Sequence, residues 1–191
     1  MPIAQDEVSS SVDATLAGRA LGAMIFAFFG AMWLEVWDWR AGAGLAAGAA
    51  IALLAAGLLG VAYRRYRRFA PALALVPETP EKRRSDRIFN IVNAGQWIVI
   101  VVLGNVLANV GLGAWVVPMA IAVVGLHFVP LAFVFRNRAH FVLAAAMVGF
   151  ALLYPRVAPG GAEDPVGFLG AGLLLWASVL WALRPPASHR G

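Results

Sequence analysis

Long apolar runs, separated by short polar or glycine-containing links, dominate the pattern along the chain. An α-helix needs about 17–25 apolar residues to cross the hydrocarbon core of a bilayer, and six runs approach or reach that length. The pattern therefore predicts an all-α fold, an integral membrane bundle of six transmembrane helices. We expect the spans at about 17–37, 41–63, 88–110, 114–135, 139–154 and 166–183.

Three segments lie outside these spans. Residues 1–16 contain Asp6, Glu7 and Asp13 before a long apolar run, which is not the pattern of a cleaved signal peptide. We expect this N-terminal segment to be disordered, and likewise the tail 184–191. Residues 64–87 form the only sizeable connection, and the sequence predicts that they are a basic loop on the cytoplasmic side.

Composition supports lipid, rather than water, as the solvent of this chain. Hydrophobic residues make up 61% of the sequence and charged residues only 13%, whereas a soluble domain carries about 25% charged residues. There is no cysteine, so disulfides, thiolate metal sites and cysteine lipidation are excluded. Heavy use of Ala, Gly and Arg, with Lys82 as the only lysine, is typical of a GC-rich bacterial genome.

The basic residues predict the orientation. If the N-terminus is cytoplasmic, 13 Lys and Arg residues fall on the cytoplasmic side and only Arg40 and Arg156 on the other. Such a bias sets the topology of membrane proteins, and an even number of spans returns the C-terminus to the cytoplasm. We therefore expect a multi-pass protein of the bacterial inner (plasma) membrane. Because the arginines flank apolar spans, the basic charge does not indicate nucleic-acid binding.

A few polar side chains lie within the spans, and they suggest an intramembrane site. At 1.5 Å per residue, Gln96 lies about 4–5 Å and His127 about 3 Å from the bilayer centre, both on the cytoplasmic side. Asn93 lies slightly deeper toward the cytoplasm, so a contact between His127 and either amide is expected. Glu35 and Asn105 form a second polar layer, about 9–11 Å from the centre on the outer side.

Each of these residues has two interpretations. A neutral His127 bonded to an amide of the third helix would stabilise the contact between helices, whereas a buried titratable group can also serve a proton, an ion or a ligand. Glu35 is close to three tryptophans in the sequence. It could therefore be a carboxylate that reaches the membrane interface, or it could be a ligand for a transported ion. Pro130 follows His127 by three residues and is expected to bend the helix there.

Two further features concern partners. The basic residues of the 64–87 segment could contact anionic lipid headgroups or could serve orientation alone; they are Arg64, Arg65, Arg67, Arg68, Lys82, Arg83 and Arg84. Small residues recur at spacing four, with Ala23, Ala27 and Ala31 in the first span and Gly44 and Gly48 in the second. Such faces suit packing between these two helices or a homo-oligomer interface.

Signatures of catalysis are missing from the sequence. It contains no HExxH, GxSxG or Walker motif and no clustered metal ligands, so we expect no cofactor and no metal. The sequence argues against an enzyme without excluding one, since an active site would need residues assembled from different helices. Two functions remain open. The first is a small transporter- or channel-like protein whose site includes His127, Gln96, Asn93, Glu35 and Asn105. The alternative is a non-catalytic membrane component that binds lipid or a protein partner.

Overall fold

The computed structural model describes residues 3–184, with their side chains from residue 11 onward. Within this range the chain is all-helical. Two short 3-10 turns precede the fourth and sixth helices. The α-helices are α1 (Ile3–Ala41), α2 (Leu45–Leu73), α3 (Pro80–Asn109), α4 (Val116–Val134), α5 (Arg138–Val157) and α6 (Val166–Ala182).

Five of the six helices, α1 to α5, are long and apolar enough to cross a membrane. The sixth, α6, is equally apolar but has only 17 residues, which is the lower limit for a span. Large apolar side chains are exposed along the bundle, among them Leu53 at 74% and Phe133 at 70%. In a bilayer these side chains would face lipid, which removes the penalty of exposing them to water.

The prediction of a disordered N-terminal segment is wrong, because α1 begins at Ile3. Neither glycine nor proline interrupts residues 3–17, so nothing in the sequence stops the helix from extending ahead of the apolar run. Asp6 and Glu7 lie near the start of the helix, where negative charge is favourable. The predicted tail 184–191 lies, apart from Arg184, outside the described residues.

The prediction that residues 64–87 form a loop is also wrong for most of this segment, which is helical. Helix α2 continues through the arginines to Leu73, because Arg and Ala are good helix formers and need not leave the helix where the apolar run ends. Helix α3 starts at Pro80, and the side chain of Thr79 accepts a hydrogen bond from the amide of Lys82. A capping threonine followed by proline is a favourable helix start. The loop therefore shrinks to residues 74–79.

The helices pack in the spatial order α2, α1, α6, α5, α4, α3, and α4 also contacts α6. Helix α1 therefore lies between its neighbour in sequence, α2, and the last helix, α6. At the contact of α1 with α2 and α6, Ala23, Ala27, Ala62 and Val179 are fully buried. The small residues of α1 are thus used inside the chain, where they allow close approach of the helices.

A second apolar core joins α4, α5 and α6, and its members include Ile121, Phe128, Met147 and Leu175. Gly125 permits this packing, since a Cβ atom there would lie 3.1 Å from the backbone nitrogen of Val148. In contrast, α3 has no buried residue in its 30 positions, although it packs along α4. Helix α3 is therefore the most exposed element of the bundle.

Candidate functional site

His127, predicted to contact α3, forms its hydrogen bond within its own helix. The Nδ1 atom of His127 lies 2.6 Å from the carbonyl oxygen of Val124, one turn earlier on α4. Since a carbonyl can only accept, Nδ1 is the donor in this hydrogen bond. In the described part of the chain, no hydrogen bond joins His127 to Asn93 or Gln96. A similar depth in two neighbouring helices is therefore not accompanied by a hydrogen bond between these side chains.

Gln96 is half-buried on the side of α3 that faces α4, and its Oε1 atom is buried without a hydrogen-bond partner. A buried amide oxygen without a donor is unusual and marks a place where water or a ligand group would be stabilised. Asn93 lies close by on the same face, also half-buried. Two of the predicted polar residues therefore share one face of α3, and His127 bonds within its own helix.

The predicted outer layer is divided between two helices. On α1, Glu35 points toward the start of α2, where a Cβ atom on Gly48 would lie 3.3 Å from its Oε2 and 3.1 Å from Oδ2 of Asp38. On α3, Asn105 is exposed and its side-chain amide donates to the carbonyl oxygen of Val101 at 2.7 Å. Glu35 and Asn105 thus have different neighbours, and Gly48 serves the contact between α1 and α2.

An aromatic cluster, missed at the level of sequence, surrounds the second histidine of the bundle. The ring of Phe128 lies 5.4 Å from that of Phe26 on α1 and 5.9 Å from that of His140 on α5. The ring of Phe135 lies 6.1 Å from His140 and 5.7 Å from Phe89 on α3. Edge-on and tilted contacts of this kind hold four helices together, so this region has a packing role.

The predicted lipid-contacting arginines divide into two groups. Arg64, Arg67 and Arg68 are exposed on the last turns of α2, whereas Arg65 is half-buried and donates to the carbonyl oxygens of Leu183 and Arg184. On α3, Arg83 and Arg84 are exposed. Lys82 lies between Glu78 and Asp86, and its ammonium group holds the pKa of Glu78 below its usual range.

Three arginines from different helices meet at the C-terminal end of α6. Besides Arg65, Arg19 of α1 donates to the carbonyl oxygen of Trp181 at 3.4 Å. The guanidinium of Arg184 lies over the Trp181 ring, 4.6 Å from its centroid. Cations are favourable at a helix C-terminus because the last carbonyl groups lack intrahelical donors. Arg19 and Arg184 are among the 13 basic residues that predict the orientation, and nothing in the sequence shows that they come together.

A cleft of about 570 Å³, here called the α2–α6 cleft, lies between α2 and α6 and includes Arg184 of this arginine group. Gly57 lines it, and a Cβ atom on Gly57 would meet nothing within 4 Å. Aliphatic side chains form the rest of the wall, and Arg184 supplies the charge. The lining residues are Leu53, Leu54, Gly57, Leu58, Val61, Leu180, Leu183 and Arg184.

Within the described residues, no group of three or more His, Cys, Asp or Glu side chains is placed to hold a metal ion. Comparisons with protein-family models, with curated proteins and with solved structures found no match to this chain. The function must therefore be argued from the geometry alone.

Proposed function

We propose that this chain is a non-catalytic membrane protein that binds an anionic phospholipid in the α2–α6 cleft. The observation that carries the proposal is the combination, in one cleft, of an aliphatic wall with the side chain of Arg184. An acyl chain would lie against the leucines and valine, and the phosphate of the headgroup would lie near Arg184.

The chemistry of the two ends differs in the way that a phospholipid requires. Along the wall, Leu53 and Val61 are exposed and offer only dispersion contacts, which match an acyl chain. At the charged end, the guanidinium of Arg184 stacks on Trp181 and keeps free donors in a planar fork that suits a phosphate. An apolar wall that ends in a cationic group is the expected form of a lipid site at a membrane interface.

The distribution of the other basic residues agrees with this proposal. Exposed Arg64, Arg67 and Arg68 lie on the same turns of α2 as Arg65 and would add to the attraction for anionic headgroups. In the orientation that the basic residues favour, this end of the bundle faces the cytoplasmic leaflet of a bacterial plasma membrane. That leaflet would supply the lipid.

The test compares lipid retention by the full chain in nanodiscs that contain equal amounts of phosphatidylglycerol and phosphatidylcholine. Native mass spectrometry after extraction should show phosphatidylglycerol retained in preference to phosphatidylcholine. Gly57→Leu should abolish the retention by filling the cleft, and Arg184→Gln should reduce it about fivefold, from about 1 kcal/mol per basic residue.

Gly149→Leu is the matched control for the filling variant. Gly149 is a helical glycine of α5, exposed, and a Cβ atom there meets nothing within 4 Å. It should therefore leave lipid retention unchanged. Equal retention of the two lipids by the native chain, or equal retention in Gly57→Leu and Gly149→Leu, would contradict the proposal.

A second candidate function, transport of an ion or small molecule along the α3–α4 face, is favoured by the unpartnered oxygen of Gln96. Pro130 adds to this, because it leaves the carbonyl of Leu126 without its helical donor beside His127. Proteoliposomes that contain the native chain should then show a pH-dependent flux, and His127→Leu should abolish it. A flux that is unchanged in His127→Leu would exclude this role of the histidine.

A further inference from the structure

A separate cleft lies at the corner where α4 ends and α5 begins, and we call it the α4–α5 corner. Its volume is about 480 Å³, and it is lined by Ala132, Phe133, Arg136, Arg138 and Phe141. Only residues 135–137 connect the two helices. The corner shares no lining residue with the α2–α6 cleft and is formed by different helices.

Two exposed arginines face this cleft without a protein partner. Among the residues whose side chains the structure describes, neither Arg136 nor Arg138 takes part in an ion pair or a side-chain hydrogen bond. This distinguishes them from Arg19 and Arg65, which donate to carbonyl groups of α6. Two planar guanidinium groups on one cleft offer the set of donors that a tetrahedral phosphate accepts best.

The backbone at the corner also favours an anion. The carbonyl oxygens at the end of α4 are already occupied, since Leu131 accepts from Phe135, Ala132 from Asn137 and Phe133 from Arg136. They therefore do not present unsatisfied negative ends to the cleft. On the other side the cleft meets the start of α5, where the helix dipole places partial positive charge.

Arg136 occupies an unusual backbone position. Its φ is 48°, and Arg136 is the one non-glycine residue in the described chain with a positive φ. An L-residue in this left-handed conformation carries a steric penalty that glycine avoids, and glycine is the usual residue at this position after a helix. The chain thus has an arginine at a position where glycine would avoid the steric penalty of a positive φ.

The apolar wall of the corner is aromatic. The rings of Phe133 and Phe141 meet edge to face at a centroid distance of 5.0 Å, and both side chains are exposed. A phosphate group attached to an apolar chain would contact the two arginines through its oxygens and the two rings through its apolar chain. A free phosphate ion would use the arginines alone.

From this arrangement we infer that the α4–α5 corner binds a phosphate group through Arg136 and Arg138. The group is carried by an anionic phospholipid or by a soluble phosphate. Each arginine supplies charge-assisted hydrogen bonds, and the aromatic wall holds whatever apolar chain the phosphate carries.

The experiment uses the full chain with Gly57→Leu as the background, so that a lipid in the α2–α6 cleft does not contribute. In the first arm, nanodiscs of phosphatidylcholine with increasing phosphatidylglycerol are used, and lipid retention is measured by native mass spectrometry. In the second arm, inorganic phosphate is titrated into pure phosphatidylcholine nanodiscs and followed by ³¹P NMR line broadening. Each arm is repeated with Arg136→Gly, with Arg138→Gln and with both substitutions.

Arg136→Gly removes the guanidinium and relieves the backbone, so the variant should fold at least as well as the background. Each substitution should weaken binding about fivefold, and the double variant about 25-fold. A loss in the first arm identifies a lipid headgroup, and a loss in the second arm alone identifies a soluble phosphate. Arg87→Gln, a change of an exposed arginine on α3, should change neither arm.

The inference is overturned if the double variant binds phosphatidylglycerol and inorganic phosphate as well as the Gly57→Leu background does. It is also overturned if Arg87→Gln weakens binding as much as Arg136→Gly, because general surface charge would then explain the effect. Both outcomes concern the corner alone, so they are independent of the result for the α2–α6 cleft.

Discussion

The indole Nε1 of Trp176 on α6 donates a hydrogen bond to the carbonyl oxygen of Ala27 on α1, at 3.1 Å. This bond joins residues that are 149 positions apart in the sequence. It lies beside a close approach of the two backbones, at Gly30 of α1 and Gly172 of α6. Helices α1 and α6 are thus held together by one hydrogen bond and by close packing at two glycines.

Replacement of Trp176 by phenylalanine should destabilise the bundle by about 1–2 kcal/mol. The lost interhelical hydrogen bond accounts for about 0.6 kcal/mol and at most about 1.7 kcal/mol, and the smaller ring leaves part of its site unfilled. Unfolding in mixed detergent micelles measures this. The matched control is Trp39→Phe, whose side chain is 77% exposed and should be near neutral. Equal stability of the two variants would show that the bond to Ala27 contributes nothing.

Substitution of alanine for Gly172 should destabilise the contact between α1 and α6 by about 1–3 kcal/mol, the usual range for overpacking. The added Cβ would lie 2.9 Å from the carbonyl oxygen of Gly30 and 2.6 Å from Cγ of Leu34, so the helices must separate. Gly149→Ala on α5 adds the same atom in open space and should be neutral or stabilising. Unfolding midpoints of the two variants measured side by side decide the matter.

The stability of the link between α5 and α6 should depend on the ionisation of Asp164. Backbone amides of Val166 and Gly160 donate to its two oxygens, at 2.9 Å each, and hold the pKa of this carboxyl below its usual value. A lowered pKa means that the carboxylate stabilises the folded state above about pH 4, and that this contribution is lost as the pH falls through the folded-state pKa.

Asp164→Ala should therefore unfold more easily at pH 7, by about 0.5–2 kcal/mol as for other helix caps, and the difference from the native chain should narrow in acid. Thermal unfolding in detergent between pH 3 and pH 7 provides the measurement. Glu163→Gln changes the neighbouring exposed carboxylate and should leave the profile unaltered. A difference that is constant across this pH range would contradict the role of the charge.

The orientation of the bundle can be tested directly because the chain contains no cysteine. A single cysteine at Glu163, in the link between α5 and α6, should react with a membrane-impermeant maleimide in intact cells. A cysteine at Pro77, between α2 and α3, should react only after the cells are permeabilised. Both positions are exposed. The reverse labelling pattern would invert the topology that the arginines favour.

The sequence predicted an all-helical chain with several long apolar helices because most of the apolar runs are long enough to identify a helix by themselves. It did not predict the helix ends, since Arg64 to Arg68 are good helix formers that continue α2 past the apolar run. The polar site around His127 stays a prediction. Depth along a helix does not determine a side chain's hydrogen-bond partner, and His127 is bonded to a carbonyl on its own helix.

The arginine group at the end of α6 shows a different limit. Arg19, Arg65 and Arg184 are far apart in the sequence, and they meet only because α6 packs against α1. Hydropathy contains no information on which helices are neighbours. Side-chain periodicity along α6 was equally uninformative, because α6 is apolar on all sides.

The contact between the first and last helices has a consequence for synthesis of the protein. At about 5–20 residues per second, the ribosome needs roughly 7–30 s to reach Trp176 after it has made Ala27. During that interval Ala27 and Gly30 of α1 lack the contacts that Trp176 and Gly172 provide in the folded bundle. This part of the packing therefore forms only after α6 has been made.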